Sequence, residues 1–186
     1  MNYGSGAFYN KKLYLNEGYW QDILKNFQNE IERNHTDPVI IHHQHSYNGK
    51  FPIWVVVEYL SFNNISKLFS NLQDPDKKYI AINFYNMNEM VLKQWFHALS
   101  VFRNICAHYG YLYKRTYPLS PRILSKYGQE LKDNKSLFSI LLAIKELTDI
   151  SVFQNLIQEI IKKSKLTNSF LLADYGFPNN WQELLI

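Results

Sequence analysis

One cysteine in 186 residues, Cys106, leaves no partner for a disulfide within the chain. That usage fits a reducing compartment, and a cytoplasmic location is expected. No apolar run approaches the ~18 residues that a bilayer-crossing helix needs, and the N-terminus lacks the apolar stretch of a secretory signal. A membrane is therefore not among the expected partners. Nowhere do apolar and polar residues alternate with the two-residue period of a strand. No internal repeat, low-complexity tract or clear linker divides the chain, so a single domain over 1–186 is expected. At 46% hydrophobic and 16% aromatic, the chain can fill one sizeable core. A net charge of +4 and a pI near 9.0 are compatible with a polyanionic partner but do not require one.

What is present is helical periodicity nearly throughout. Trp20, Ile23, Leu24, Phe27 and Ile31 recur at helical spacing, which predicts an amphipathic helix from Gly18 to Arg33. Asp37-Pro38 reads as a cap followed by proline in the first turn of a short helix reaching His45. Tyr47 to Lys50 reads as a turn. Pro52 opens a second apolar segment, with Trp54 to Phe62 expected to be buried and Asn63-Asn64 expected to interrupt it before Ile65 to Leu72. Further helices are predicted from Asp74-Pro75 towards Phe84, from Asn88 to Tyr109, from Lys135 to Leu147 and from Ser151 to Lys163, with Pro118 to Pro121 as a loop. The fold class expected is all-α.

The most informative stretch is Arg103-Asn104-Ile105-Cys106-Ala107-His108, near the end of the helix that stops at Gly110. Arginine presents a planar, permanently charged fork that matches a phosphate, and histidine can both take and give a proton near neutral pH. Together they suit phosphodiester cleavage without a metal. At ~100° per residue, Leu92, Trp95, Phe96, Leu99, Phe102, Cys106 and Tyr109 form one apolar stripe expected to be core, with Cys106 packing rather than reacting. Lys93, His97, Ser100, Asn104 and His108 share the other side. Arg103 then points ~140° away from His108, so the arginine reaches round, the helix end distorts, or a second chain completes the site. Asn104, on the face of His108, is placed to orient the imidazole. His97 reads as part of a solvated seam.

Three other features invite a functional reading. Glu58 stands in the run from Trp54 to Phe62, where a buried carboxylate demands a partner. Arg103 is one candidate, another basic group or a local solvent pocket the alternative. His42, His43 and His45 suggest zinc, but 43 leaves the face shared by 42 and 45 and nothing completes a tetrahedral set, so no metal and no cofactor is expected. Tyr109, Tyr111 and Tyr113 either stack on unpaired bases or pack with their hydroxyls outward.

The string Arg103-Asn104-x-Cys106-Ala107-His108, followed by Leu112, Tyr113 and Arg115, resembles bacterial abortive-infection proteins of the AbiD/AbiF type, within the HEPN ribonuclease superfamily. Pro52-Ile53-Trp54 with Glu58, Leu60-Ser61-Phe62 and Leu68 to Leu72 resemble that family's central segment, and Gly176-Phe177-Pro178-Asn179-Asn180-Trp181 its C-terminal signature. The resemblance spans about Gly18 to Trp181. It implies a HEPN-like helical bundle with additional helices, a homodimer, and RNA cleavage by Arg103 and His108 as the R-x4-H pair, leaving a 2′,3′-cyclic phosphate and a 5′-hydroxyl. Asn104 and Glu58 would support the pair, and Tyr109, Tyr113 and Arg115 would contact RNA. It also implies phage defence, restrained by an antitoxin that is a small RNA or a protein. The chain departs from the family pattern at Tyr111 and Lys114. Longer family members carry a further N-terminal helical section, so this chain reads as a short member or a fragment. The alternatives are a HEPN-like module that binds RNA or protein and cleaves nothing, and a nucleotide-binding or nucleotidyl-modified toxin.

Overall fold

The computed structural model of the chain describes residues 3–128, 131, 134–166 and 171–186. Among them are nine α-helices and several short 3-10 turns, with no strand beyond an isolated antiparallel bridge between Tyr14 and Leu72. The all-α expectation holds. Two compact units, Met1–Glu89 and Met90–Ile186, divide the chain.

In the first unit, α1 (Glu17–Arg33) begins where the Asn16 side chain accepts a hydrogen bond from Tyr19 N–H, and buries Ile23, Phe27 and Ile31 along one face. Each such side chain contributes about 1.5–3 kcal/mol when fully removed from water. That face packs on α3 (Ile53–Tyr59) and α4 (Phe62–Asn71). Between them, α2 (Pro38–Ser46) opens on Asp37, whose carboxylate accepts from Val39 N–H, with Pro38 in the first turn as its missing donor requires. The break in the central apolar run falls at Leu60-Ser61, not at Asn63-Asn64. Ser61 caps α4 by accepting from Asn64 N–H, and the two asparagines lie inside the first turn. Periodicity alone hid that boundary because apolar residues continue across it.

Before α1, two 3-10 turns (Ala7–Tyr9 and Lys11–Leu13) carry Phe8 into the core, where it is fully buried and meets Phe27 edge to face. Trp20 Nε1–H and Tyr14 O–H both donate to Phe8 O. Asn71 ties the same segment to α4: its Oδ1 accepts from Asn16 N–H and its Nδ2 donates to Asn16 O, each at 2.8 Å. The unit closes with α5 (Asp74–Tyr85), whose Pro75 again sits in the first turn.

In the second unit, α6 (Glu89–Ala107) buries Leu92, Trp95, Ala98 and Leu99. Trp95 Nε1–H donates to Arg122 O at 2.8 Å, Gln94 Nε2 donates to Ser120 O, and Gln94 Oε1 accepts from Arg122 N–H. The proline-bounded loop is thus strapped along α6. The remaining core is built by α7 (Leu137–Leu147), with α8 (Ile150–Leu166) and the short α9 (Trp181–Leu185) against it. Gly176 (φ +80°) packs so closely on Ser136 that any Cβ would overlap that side chain, and its carbonyl accepts from Asn134 Nδ2. Phe177 is buried against Phe138 and Trp181. The Gly176 to Trp181 signature therefore has a packing role.

Candidate functional site

Of the apolar stripe of α6, Leu92, Trp95 and Leu99 are buried and Phe96 is half-buried, and burial ends beyond Leu99. Phe102 is half-buried against Tyr117, with ring centroids 5.6 Å apart, while Cys106 and Tyr109 are exposed. This corrects the expectation of a core stripe running to Tyr109: the last turn of α6 projects beyond the packed part of its unit. Ser100, expected on the polar side, is buried and satisfies its hydroxyl on His97 O at 2.8 Å. His97 is exposed, as a solvated seam requires. Partial desolvation pushes the Cys106 thiol above its ordinary pKa, which disfavours the thiolate a nucleophile needs.

The helix ends through a defined set of hydrogen bonds. His108 N–H donates to Asn104 O, Tyr109 N–H to Cys106 O at 3.2 Å and Gly110 N–H to Ile105 O at 2.7 Å. The last two form a Schellman closure, with Tyr109 in the left-handed region at φ +54°. Glycine normally occupies that position. Here Gly110 serves a different need, since a Cβ on it would lie 2.5 Å from Ile105 Cγ2 and 2.7 Å from Ile105 O. The backbone oxygen cannot yield, so Gly110 is fixed by close approach and the strained residue is Tyr109. Tyr109→Gly is expected to stabilise the chain by about 1 kcal/mol, measured by chemical denaturation. Unchanged or lower stability would show that Tyr109 bears no strain.

Arg103, Asn104 and His108 are all exposed, within reach of a large substrate. Arg103 Nη1 donates to Asn104 Oδ1 at 3.4 Å. Asn104 therefore steadies the guanidinium with its side chain and meets His108 through its backbone carbonyl. Beyond the helix, Lys114 (φ +50°) is a second left-handed residue, anchored by its N–H on Asp174 O and by its ammonium on Asp174 Oδ1 at 3.3 Å. The hydrogen bonds to Tyr113 and Asp174 raise the Lys114 pKa and keep it charged. Tyr113 is half-buried between Tyr111 and Tyr175, whereas Tyr109 is 99% and Tyr111 67% exposed. Arg115 Nη1 donates to Tyr111 O, and its guanidinium lies 5.7 Å from the centre of the Tyr117 ring.

Glu58 is exposed on α3 in the first unit, so the burial that demanded a partner is absent. Trp54, expected in the core, is 62% exposed. The helix is only seven residues long and buries a single side chain, Val56, so an apolar run did not mean an all-round buried helix. His42 and His45 are exposed and His43 half-buried. Among the described residues no group of three or more His, Cys, Asp or Glu side chains gathers where it could hold a metal ion.

Net charge over the whole chain conceals one signal. From Met90 to Gln129 the sequence holds six lysines and arginines (Lys93, Arg103, Lys114, Arg115, Arg122 and Lys126) and no aspartate or glutamate, so the rest of the chain is net acidic. In the fold, carboxylates from outside the stretch pair with two of these cations, Asp174 with Lys114 and Glu146 with Lys126, and the positive excess that remains is of the sign that favours encounter with a polyanion.

Fold and site together define an all-helical protein that presents an arginine, a histidine and two exposed tyrosines at the open end of a helix. The family model described as Abi-like protein matches residues 1–114, more than half of the chain, and the chain belongs to that family. The match includes all of α6 and ends at Lys114, one residue before Arg115. Neither the curated proteins nor the solved structures give a match. No helix among the described residues is long and apolar enough to cross a membrane.

Proposed function

We propose that the chain is a metal-independent endoribonuclease of the HEPN type, acting in abortive infection, with Arg103 and His108 as its catalytic pair. The observation that carries this reading is the placement of an exposed arginine and histidine on the protruding end of α6, inside a forty-residue stretch without a carboxylate. Membership of the Abi-like protein family supports abortive infection as the setting. Arg103 holds the scissile phosphate and stabilises the charge that develops on it, while His108 removes the 2′-hydroxyl proton or protonates the leaving 5′-oxygen. Attack by the 2′-oxygen on its own phosphorus expels the 5′-oxygen and leaves a 2′,3′-cyclic phosphate and a 5′-hydroxyl. One histidine per chain serves one of these transfers. A symmetric homodimer that brings two motif helices together would supply the second. Tyr109, Tyr113 and Arg115 contact the RNA, and a small RNA or protein antitoxin restrains the enzyme.

The retained strain at Tyr109 supports a role for its ring, because strained conformations persist where function needs them. Tyr109→Gly should therefore weaken RNA binding while it stabilises the fold.

The direct test is cleavage of mixed RNA by the purified chain in EDTA, beside Arg103→Ala. Cleavage with cyclic-phosphate ends, lost with Arg103 together with part of the RNA affinity, is the expected result. A requirement for a divalent ion would overturn the mechanism. Intact RNA at every condition would leave a non-catalytic binding module in its place.

A further inference from the structure

In the first unit, the start of the chain, the end of α2 and the start of α3 enclose an open cleft of about 660 Å³, a size usual for small-ligand sites. Its lining is dominated by rings. Phe51 is buried, and the His43 imidazole stacks on it with centroids 5.2 Å apart and planes 17° from parallel. The Tyr47 ring lies 5.3 Å from His43, with its plane tilted by 35°. His43 Nδ1 stands 2.9 Å from Val39 O, and because a carbonyl only accepts, that nitrogen carries a hydrogen and the ring is fixed in the stack. Phe51 N–H donates to Tyr9 O–H oxygen, which fixes a further ring of the lining. Trp54, largely exposed, adds an indole that the core does not use.

The polar character of the cleft selects among ligands for such rings. Aromatic walls accept cations or planar heterocycles. No carboxylate lines this cleft, and its one charged group is Lys50, which makes no ion pair among the described residues. A cation would meet repulsion from Lys50 and nothing to neutralise it. A planar base carrying an anionic group meets rings for the first and an ammonium for the second.

We propose that this cleft binds one nucleotide, its base stacked on the aromatic walls beside Trp54 and its phosphate on Lys50. The inference does not rest on Arg103 or His108, which lie in the other unit. The same chemistry is offered by a free mononucleotide and by an unpaired residue of single-stranded RNA.

The test uses the full chain carrying His108→Ala, titrated with each 5′-mononucleotide and, separately, with a short unstructured RNA, while tryptophan emission is followed. Saturable quenching by mononucleotides identifies a free-nucleotide site; quenching by the RNA alone identifies an unpaired RNA residue. Calorimetry on the same ligand should show Trp54→Ala weakening binding roughly 5- to 150-fold, the share of one stacked base, with Trp54→Phe restoring most of it. Lys50→Gln should weaken a nucleotide but leave the weaker binding of its nucleoside unchanged. Trp54 is exposed, so its substitution should leave the circular dichroism spectrum unaltered. Absence of quenching by either ligand, or equal affinity in Trp54→Ala and its parent, overturns the site. Cleavage by the unsubstituted chain is scored separately, so failure of the ribonuclease reading and failure of this site give different results.

Discussion

His108→Ala should slow RNA cleavage roughly 10²–10⁴-fold under single-turnover conditions, the range contributed by one positioned acid or base. The size of the effect follows from chemistry, because a 2′-hydroxyl is a weak nucleophile unless its proton is taken during attack. The fold should survive. His108 is exposed, its backbone N–H donates to Asn104 O, and alanine keeps that hydrogen bond. Thermal unfolding of the variant should therefore match the parent while its rate collapses. If two chains share one site, mixing His108→Ala with Arg103→Ala should restore a small part of the lost activity, since the mixed dimer regains one arginine and one histidine but still lacks the second histidine. A variant that cuts RNA as fast as its parent would remove His108 from the chemistry.

The helices were legible wherever a cap or a proline marked a start beside periodic apolar residues. Asp37-Pro38 and Asp74-Pro75 both open helices, and α1 runs from Glu17 to Arg33 against an expectation of Gly18 to Arg33. Legibility failed where exposure depends on what lies opposite a face. Periodicity puts Cys106 and Tyr109 on the same stripe as Leu92 and Trp95, yet only tertiary contact decides whether a stripe is covered, and it is covered to Leu99 alone. Trp54 and Glu58 misled for the same reason. Phe8 is a complementary case: the single 3-10 turn Ala7–Tyr9 is too short to show a period, but it carries a fully buried ring. Of the site, Arg103 and His108 were visible as residue types at a spacing. The Asn104 contact with Arg103, the strain at Tyr109 and the reason for Gly110 required coordinates. The carboxylate-free stretch around the motif was readable throughout and was masked by averaging charge over the chain.

The largest loss of stability is expected from Trp95→Ala, about 3–5 kcal/mol. Trp95 is among the largest fully buried side chains and stands in the second turn of α6, so its removal opens a cavity that a rigid helix cannot close. The substitution also leaves Arg122 O without the indole donor, one of the three bonds that strap the 118–122 loop to α6. Trp95→Phe separates the two effects: it keeps most of the ring volume, loses the hydrogen bond and should cost roughly 1–3 kcal/mol. Because total stability of a domain is about 5–15 kcal/mol, the alanine variant should unfold at clearly lower denaturant in a urea titration. Its effect on activity should follow from the same anchorage, since Arg103 lies on α6 beyond the strapped part and depends on that helix for its position. A cost below about 1 kcal/mol for Trp95→Ala would mean that α6 is not held as described, and the motif would then need another source of rigidity.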